Sequence, residues 1–387
     1  MSISANYPNV FPSLELNFAN SQQLDPRVTF SRSTTAPYYD GKTSAIAEQN
    51  LFIQSNTFTN AAWVATSATI ASGVTDPAGG TTAYSMTATA GNATLYQTLT
   101  LTATAYTESI WIQRVTGTGT INLTLDGTTL SPVTITGSWA KYTYTATPSA
   151  GSKTIGIQIV TSGDAINIYG SQIENRSSAT ATNITTTSAL TNYIPQLLTA
   201  PINAPRFDFN PTTGESLGLL IEQSSTNLLT YSQDFSNAVW TKTNATITTG
   251  ANIAPDGTQT ASKLIESTST GGHNVSNLVT VISATNYTSS IYAKASERGY
   301  ILMFDNNLGV GKYFNLFTGT ILGNFGAGPA SATITPVGNG WYRCTITNTT
   351  TSTNQTGVNV YISTDGSSIS YTGNGYSGVY LWGAQLE

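Results

Sequence analysis

One histidine, His273, and one cysteine, Cys344, occur in 387 residues. A histidine-dependent triad therefore has one place to form, a site with several histidine ligands has none, and no internal disulfide can close. His273 stands in STSTGGHNVSN, whose glycines and serines read as a turn, and is expected to face solvent. Cys344 shares a strand face with Ile346 and is expected inside a sheet sandwich. Glycan hydrolysis would need two carboxyl groups about 5 to 10 Å apart, one with a raised pKa. The 19 acidic residues are scattered, many in LDGT, PDGT and TDGS, where Asp-Gly serves hairpin geometry. No carboxylate pair is singled out, and no catalytic residue is expected. The DNN at 305–307 offers oxygen ligands of the kind Ca²⁺ prefers, without the spacing of a calcium loop.

Aromatic residues remain. A sugar ring stacks on an exposed Trp or Tyr face while polar neighbours bond its hydroxyls. Trp63 and Trp240 each end a similar apolar phrase and are read as core. Trp139 and Trp341 share strand faces with Lys141 and Arg343, which allows partial exposure and a cation–π arrangement, while their recurrence also fits a structural role. Where two copies of a module differ, specificity is to be sought. That directs attention to Tyr300, Phe304, Tyr313 and Phe317, which join Trp341 as candidate ligand contacts. In YFNLF, alternation puts Tyr313, Asn315 and Phe317 on one face and Phe314 and Leu316 on the other.

The elements that would hold these residues follow from composition and repetition. Apolar residues make up 39% and charged residues 9% of the chain. With Thr, Ser, Asn and Gly abundant, that balance predicts short strands and tight turns, an all-β protein. NLFIQSNTFTNAAW (50–63) recurs as NLLTYSQDFSNAVW (227–240), SIWIQR (109–114) as SIYAKA (290–295), and GSWAKYTYTAT (137–147) as GNGWYRCTITNT (338–349). Each copy closes on one phrase, INIYGSQIE (166–174) or GVYLWGAQLE (378–387). Four matched blocks in one order mean a duplicated module, and short alternating strands predict a jelly-roll sandwich for each copy. From Trp111 to Trp139 is 28 residues and from Tyr292 to Trp341 is 49, so the second copy carries about 21 more. These are expected as two or three added strands in GYILMFDNNLGVGKYFNLFTGTILGNF.

Taken together, NLLTYSQDFSNAVWTKTNATIT, APDGTQTASKL, GNGWYRCTIT and the final YLWGAQLE resemble the carbohydrate-binding-module-like jelly roll common in bacteriophage virion proteins. LDPRVTFSRSTTAPYYDG and APRFDFNPTTGESLGLLIEQSSTNLL resemble the segment that precedes that domain in the same proteins. In that family the two segments nearly adjoin, whereas here the first module intervenes. The expected organisation is a split element of residues 1–49 with 190–225, an inserted jelly roll at 50–177, a linker at 178–189 and a second jelly roll at 226–387. RFDFN and LGLLIE, joined by PTTGES, form a plausible hairpin of the split element, and RSSATATNITTTSALTN (176–192) reads as a flexible exit.

The resemblance implies a virion structural protein, in a tail appendage, baseplate fibre or capsid decoration, synthesised in the host cytoplasm and acting on the particle. It implies other virion proteins and further copies of the chain as partners, a structural Ca²⁺ in some jelly rolls of the kind, and contact with a cell-surface glycan. The alternative class is a carbohydrate-active enzyme or depolymerase with the jelly rolls as accessory modules. Net charge is −5 with no basic cluster, so nucleic acid is not an expected partner. No apolar run reaches membrane-spanning length, and the first residues lack the basic and apolar regions of a secretory signal, so neither insertion nor secretion is expected.

Overall fold

Alternating Thr-, Val- and Ile-rich segments pair into two sandwiches joined by a small two-part element. This is seen in a computed structural model describing residues 17–222 and 225–387. In the first sandwich one sheet runs in the order Ala140–Ala146, Tyr106–Thr116, Ala165–Glu174, Ala83–Ala88, Ala68–Val74. The facing sheet runs Val64–Thr66, Ala93–Leu101, Gly151–Ile159, Ile121–Thr124, Ser131–Val133. Every second residue points inward, so Ile110, Ile112, Ile166 and Ile168 meet Leu95, Leu123, Ile155 and Ile157 in one apolar core. Trp63 closes one end against Phe52 and Phe58, and its Nε1–H donates to the Gln54 carbonyl at 2.9 Å.

The second sandwich repeats this order. One sheet reads Ala245–Asn252, Ala261–Glu266, Gly378–Leu386, Asn286–Ala295, Trp341–Thr349, Ser331–Pro336. The other reads Thr241–Thr243, Asn274–Thr280, Gln355–Ser363, Tyr300–Asp305, Val310–Asn315, Thr320–Phe325. Trp240 packs on Phe235 and donates to the Tyr231 carbonyl at 2.9 Å, as Trp63 does in its own copy. The protein is thus all-β, with two jelly rolls. The added length differs from the expected place. Tyr300–Asp305 and Val310–Asn315 hold the sheet positions of Ile121–Thr124 and Ser131–Val133, and the new strands are Thr320–Phe325 and Ser331–Pro336, one at the edge of each sheet.

Strands on either side of the first sandwich pair with each other. Ala36–Tyr38 pairs Leu198–Ala200, and Ser44–Asn50 pairs Leu190–Pro195 with Asn50 opposite Leu190. Phe207–Phe209 and Ser216–Leu219 form a hairpin. Tyr39, Ala47, Ile194 and Phe209 from this element bury against Ile253, Val337, Trp341 and Trp382 of the second sandwich. Lys294 reaches across to Glu48 at 2.5 Å.

The segment expected as a flexible linker is instead packed down. Glu174 accepts the Thr180 amide at 2.8 Å and its hydroxyl at 2.6 Å, Gln172 accepts the Asn183 amide at 2.6 Å, and Thr185 donates to the Phe52 carbonyl at 2.6 Å. Gln259 of the second sandwich donates to the Ala179 carbonyl at 2.8 Å. These side chains satisfy a backbone that has no sheet partner, which is why the segment lies flat on the first sandwich. Among the described residues the helical content is the single turn Phe18–Ser21, and no helix is long and apolar enough to cross a membrane.

Candidate functional site

The outer face of the second sandwich's six-stranded sheet that contains Gln355–Ser363 carries an open cleft. Val275, Val358, Val360, Ile301, Met303 and Phe314 point into the core, so alternation turns Asn274, Ser276, Asn359, Tyr361, Leu302 and Phe304 outward. Neighbouring strands place Asn274 opposite Tyr361, and Ser276 opposite Asn359. Asn274 donates to Asn359 at 2.9 Å, and Asn359 donates to Asn306 at 3.0 Å, so three asparagine amides form a chain across three parts of the sheet. A cleft of about 450 Å³ lies over them, walled on one side by Thr243 and Asn244, on another by Ile369 and Ser370, with Tyr361 between.

The cleft lining consists of Asn, Thr, Ser, Gly, Ile and one Tyr, with no carboxylate, amine or guanidinium. Asn274 and Asn359 are buried and partly spent on that chain, so a polyhydroxylated ligand would meet the donor and acceptor capacity the lining amides and hydroxyls have left. A charged ligand would lose its hydration without gaining a counter-charge. The volume falls within the usual 300 to 1,000 Å³ for ligand clefts, roughly. A second hollow, of about 120 Å³ between Tyr39, Lys42, Gln196 and Phe209, falls below it.

The wall at 369–370 is built rather than loose. Asp365 accepts the amides of Ser367 and Ser368, each at 2.8 Å, closing the turn that leads into it. Those two backbone bonds hold the Asp365 carboxyl below the ordinary carboxylate range. Further on, Tyr371 donates its hydroxyl to Glu266 at 2.7 Å, and Arg298 grips the same carboxylate with two bonds of 2.9 and 2.7 Å. Burial pushes the Glu266 carboxyl up, but the bonds from Arg298, Tyr371 and the Asn374 amide outweigh it and keep the group ionised.

The aromatic candidates divide. Phe304 lies on the outward face beside the cleft, edge-on to Tyr361 at 6.1 Å and to Phe325 at 5.5 Å, and is half-buried. Tyr300 is also half-buried and contacts Phe317 at 5.8 Å. Phe317 is 56% exposed but stands at the turn after its strand. Two candidates are overturned as open contacts. Tyr313 is covered, and Trp341 is fully buried with its Nε1–H given to the Ile253 carbonyl at 3.0 Å. Trp341 does face away from its own sandwich core, but the split element sits on that face. Trp139 is half-buried, with its Nε1–H directed to the Thr75 carbonyl at 3.2 Å. Among the described residues the cation–π contacts are Arg32 on Phe30, Lys263 on Tyr376 and Arg298 on Tyr371, and none uses these tryptophans.

His273 also departs from expectation, being fully buried behind the cleft wall. Cys344 is buried in the second core, where burial pushes its thiol up, away from reactivity. Asp305 of the DNN turn is taken up by Asn348 at 2.7 Å, Thr356 at 2.8 Å and the Asn307 amide at 2.8 Å. Among the described residues no cluster of three or more His, Cys, Asp or Glu could hold a metal ion. Asn274, Asn359 and Tyr361 were not legible as site residues, since the signal that assembles them is strand register rather than any local motif.

No protein-family model and no curated protein matches the chain. Among solved structures, the N-terminal CBM22-1–CBM22-2 tandem domain of Paenibacillus barcinonensis Xyn10C is similar at 14% identity, covering 89% of this chain and 97% of that one, with a TM-score of 0.26. The single CBM22-1 xylan-binding domain of the same protein is similar at 14% identity over 36% of this chain and 99% of its own, again with a TM-score of 0.26. Those scores are too low to carry an argument, and the jelly-roll assignment rests on the strand order given above.

Proposed function

We propose that this chain is a non-enzymatic structural protein of a bacteriophage particle, borne on a tail appendage, baseplate fibre or capsid, and that its second sandwich binds a neutral glycan of the host surface. The observation that carries the binding part is the asparagine cleft, a concave, uncharged, hydrogen-bonding surface with a tyrosine wall. The particle assignment is supported by the resemblance of the PRFDFNP and YLWGAQLE blocks to phage virion proteins. Partners are other virion proteins, and symmetric copies on the particle would multiply a weak single site into useful avidity. Hydrolysis is not part of this function, because a cleft without carboxylates lacks the acid and base that glycosidic cleavage needs.

The test is binding of the purified protein to a panel of neutral and acidic surface polysaccharides, with reducing ends measured after incubation. Neutral polymers should bind, acidic ones should not, and no sugar should be released. Tyr361→Ala should weaken binding about tenfold, near 1.4 kcal/mol. Binding indifferent to both Tyr361→Ala and Asn359→Ala would remove the cleft from the proposal. Turnover that vanishes when a carboxylate pair is mutated would make the protein a depolymerase.

A further inference from the structure

The joint between the split element and the second sandwich brings an amine, a carboxylate and a carboxamide together. Lys294, on the strand Asn286–Ala295, places Nζ 2.5 Å from Glu48 Oε1, and Asn192 donates from Nδ2 to Glu48 Oε2 at 3.0 Å. One carboxylate thus holds both groups, one on each oxygen. Glu48 and Asn192 stand directly opposite each other on paired strands, so strand register fixes their approach. Lys294 is itself buried, with the buried rings of Trp341 and Tyr380 as its neighbours on the two adjoining strands. Gly340 runs along its stem, where an added Cβ would lie 3.7 Å from Lys294 Cε.

An amine beside a carboxamide is the nucleophile and the electrophile of a transamidation. The carboxylate between them supplies what that reaction lacks in water, a base for the protons leaving the amine and an acid for the departing nitrogen. Holding both groups on one carboxylate replaces a bimolecular encounter, and burial keeps water from competing. Lys312 offers an internal comparison. It donates to Asn324 Oδ1 at 2.6 Å, but that pair is exposed at the sheet edge and has no carboxylate among its described partners. With one cysteine in the chain, no disulfide can lock the split element in place.

We propose that Lys294 and Asn192 join in an intramolecular isopeptide bond, with Glu48 as the proton carrier. A bond forms from Nζ to Cγ of Asn192, and the bond from Cγ to Nδ2 breaks. Two protons pass from Nζ to Nδ2 through Glu48, so an ammonium group and a carboxamide become a secondary amide and an ammonium ion. Nothing is oxidised and no co-reactant enters. The product ties Leu190–Pro195 covalently to Asn286–Ala295, independently of any glycan. The test is the intact mass of the full chain after incubation at neutral pH and denaturation. It should be lower than the sequence mass by one ammonia, and a protease digest should yield one branched peptide joining Lys294 to Asn192. Glu48→Gln, and Lys294→Arg, which keeps a cation facing Glu48, should each restore the full mass and lose that peptide. Lys312 and Asn324 should be recovered unlinked. A wild-type chain at its full sequence mass would overturn the inference. So would a loss of ammonia carried by an unbranched peptide, such as ring closure at Asn339–Gly340 or Asn374–Gly375.

Discussion

The two sandwiches share strand order, a tryptophan plug and a closing phrase, yet their equivalent outer faces differ. In the first, the positions of Asn274, Ser276, Asn359 and Tyr361 are held by Thr94, Tyr96, Gly156 and Gln158. Gln158 accepts from Asn122 at 2.9 Å, as Asn359 accepts from Asn274, so outward amides bond each other in both copies. In the second, the asparagines line a cleft and the sheet is one strand wider. A further contrast lies beneath. Glu108 of the first copy is fully buried in its core with neither carboxylate oxygen hydrogen-bonded, and its counterpart Ser289 donates to the Gly357 carbonyl at 2.7 Å. The tryptophan plug and the closing phrase are repeated, whereas the outward positions and this buried one differ between the copies.

Removing the shared plug should have the largest effect. Trp63→Ala and Trp240→Ala are each expected to destabilise their own sandwich by about 3 to 5 kcal/mol, read as separate transitions in thermal unfolding. Equal losses in both transitions from either substitution would show that the copies do not unfold independently.

Next comes Glu108, which breaks the symmetry between the cores. Burial holds its carboxyl well above the ordinary range. A carboxyl whose folded pKa exceeds its unfolded one stabilises the fold below the unfolded value, and that stability is lost as pH rises toward the folded value. The first sandwich should therefore weaken above about pH 4.5, by up to about 1.4 kcal/mol per pH unit. Glu108→Gln should flatten that slope in urea titrations at several pH values. A first transition with the same slope in both proteins would contradict the assignment.

The smallest effect is expected at Phe317, outward and 56% exposed. Phe317→Ser should change stability by less than about 0.5 kcal/mol and leave glycan binding unchanged. Lost binding with unchanged stability would extend the site to the sheet edge.

The duplication was legible because Trp63 and Trp240, or Tyr169 and Trp382, recur within phrases whose order survives divergence. The cleft was not, because Asn274, Asn306 and Asn359 come from separate segments and asparagine in sequence reads as a turn former. His273 was misread for a related reason, since its partners Asn244 and Tyr371 lie 29 and 98 residues away while its own neighbours are glycines. The 178–189 segment has the composition of a linker, and its anchoring depends on Gln172, Glu174 and Gln259, whose amides and carboxylate show no preference for it in sequence. Trp341 shows that facing out of a sandwich is different from facing water when a third element covers that sheet.

The pairing of Asn50 with Leu190 has a consequence for how the chain is made. On a growing polypeptide the strand Ser44–Asn50 emerges early and has no partner until the entire first sandwich has been synthesised. A disordered insert of that length would charge the pairing the entropy of closing a long loop. Once folded, the sandwich delivers its two ends side by side and acts as a turn of a few residues. Order of birth then becomes order of assembly: the first jelly roll matures, the split element closes on it, and the platform is ready before the last strands of the second jelly roll leave the ribosome.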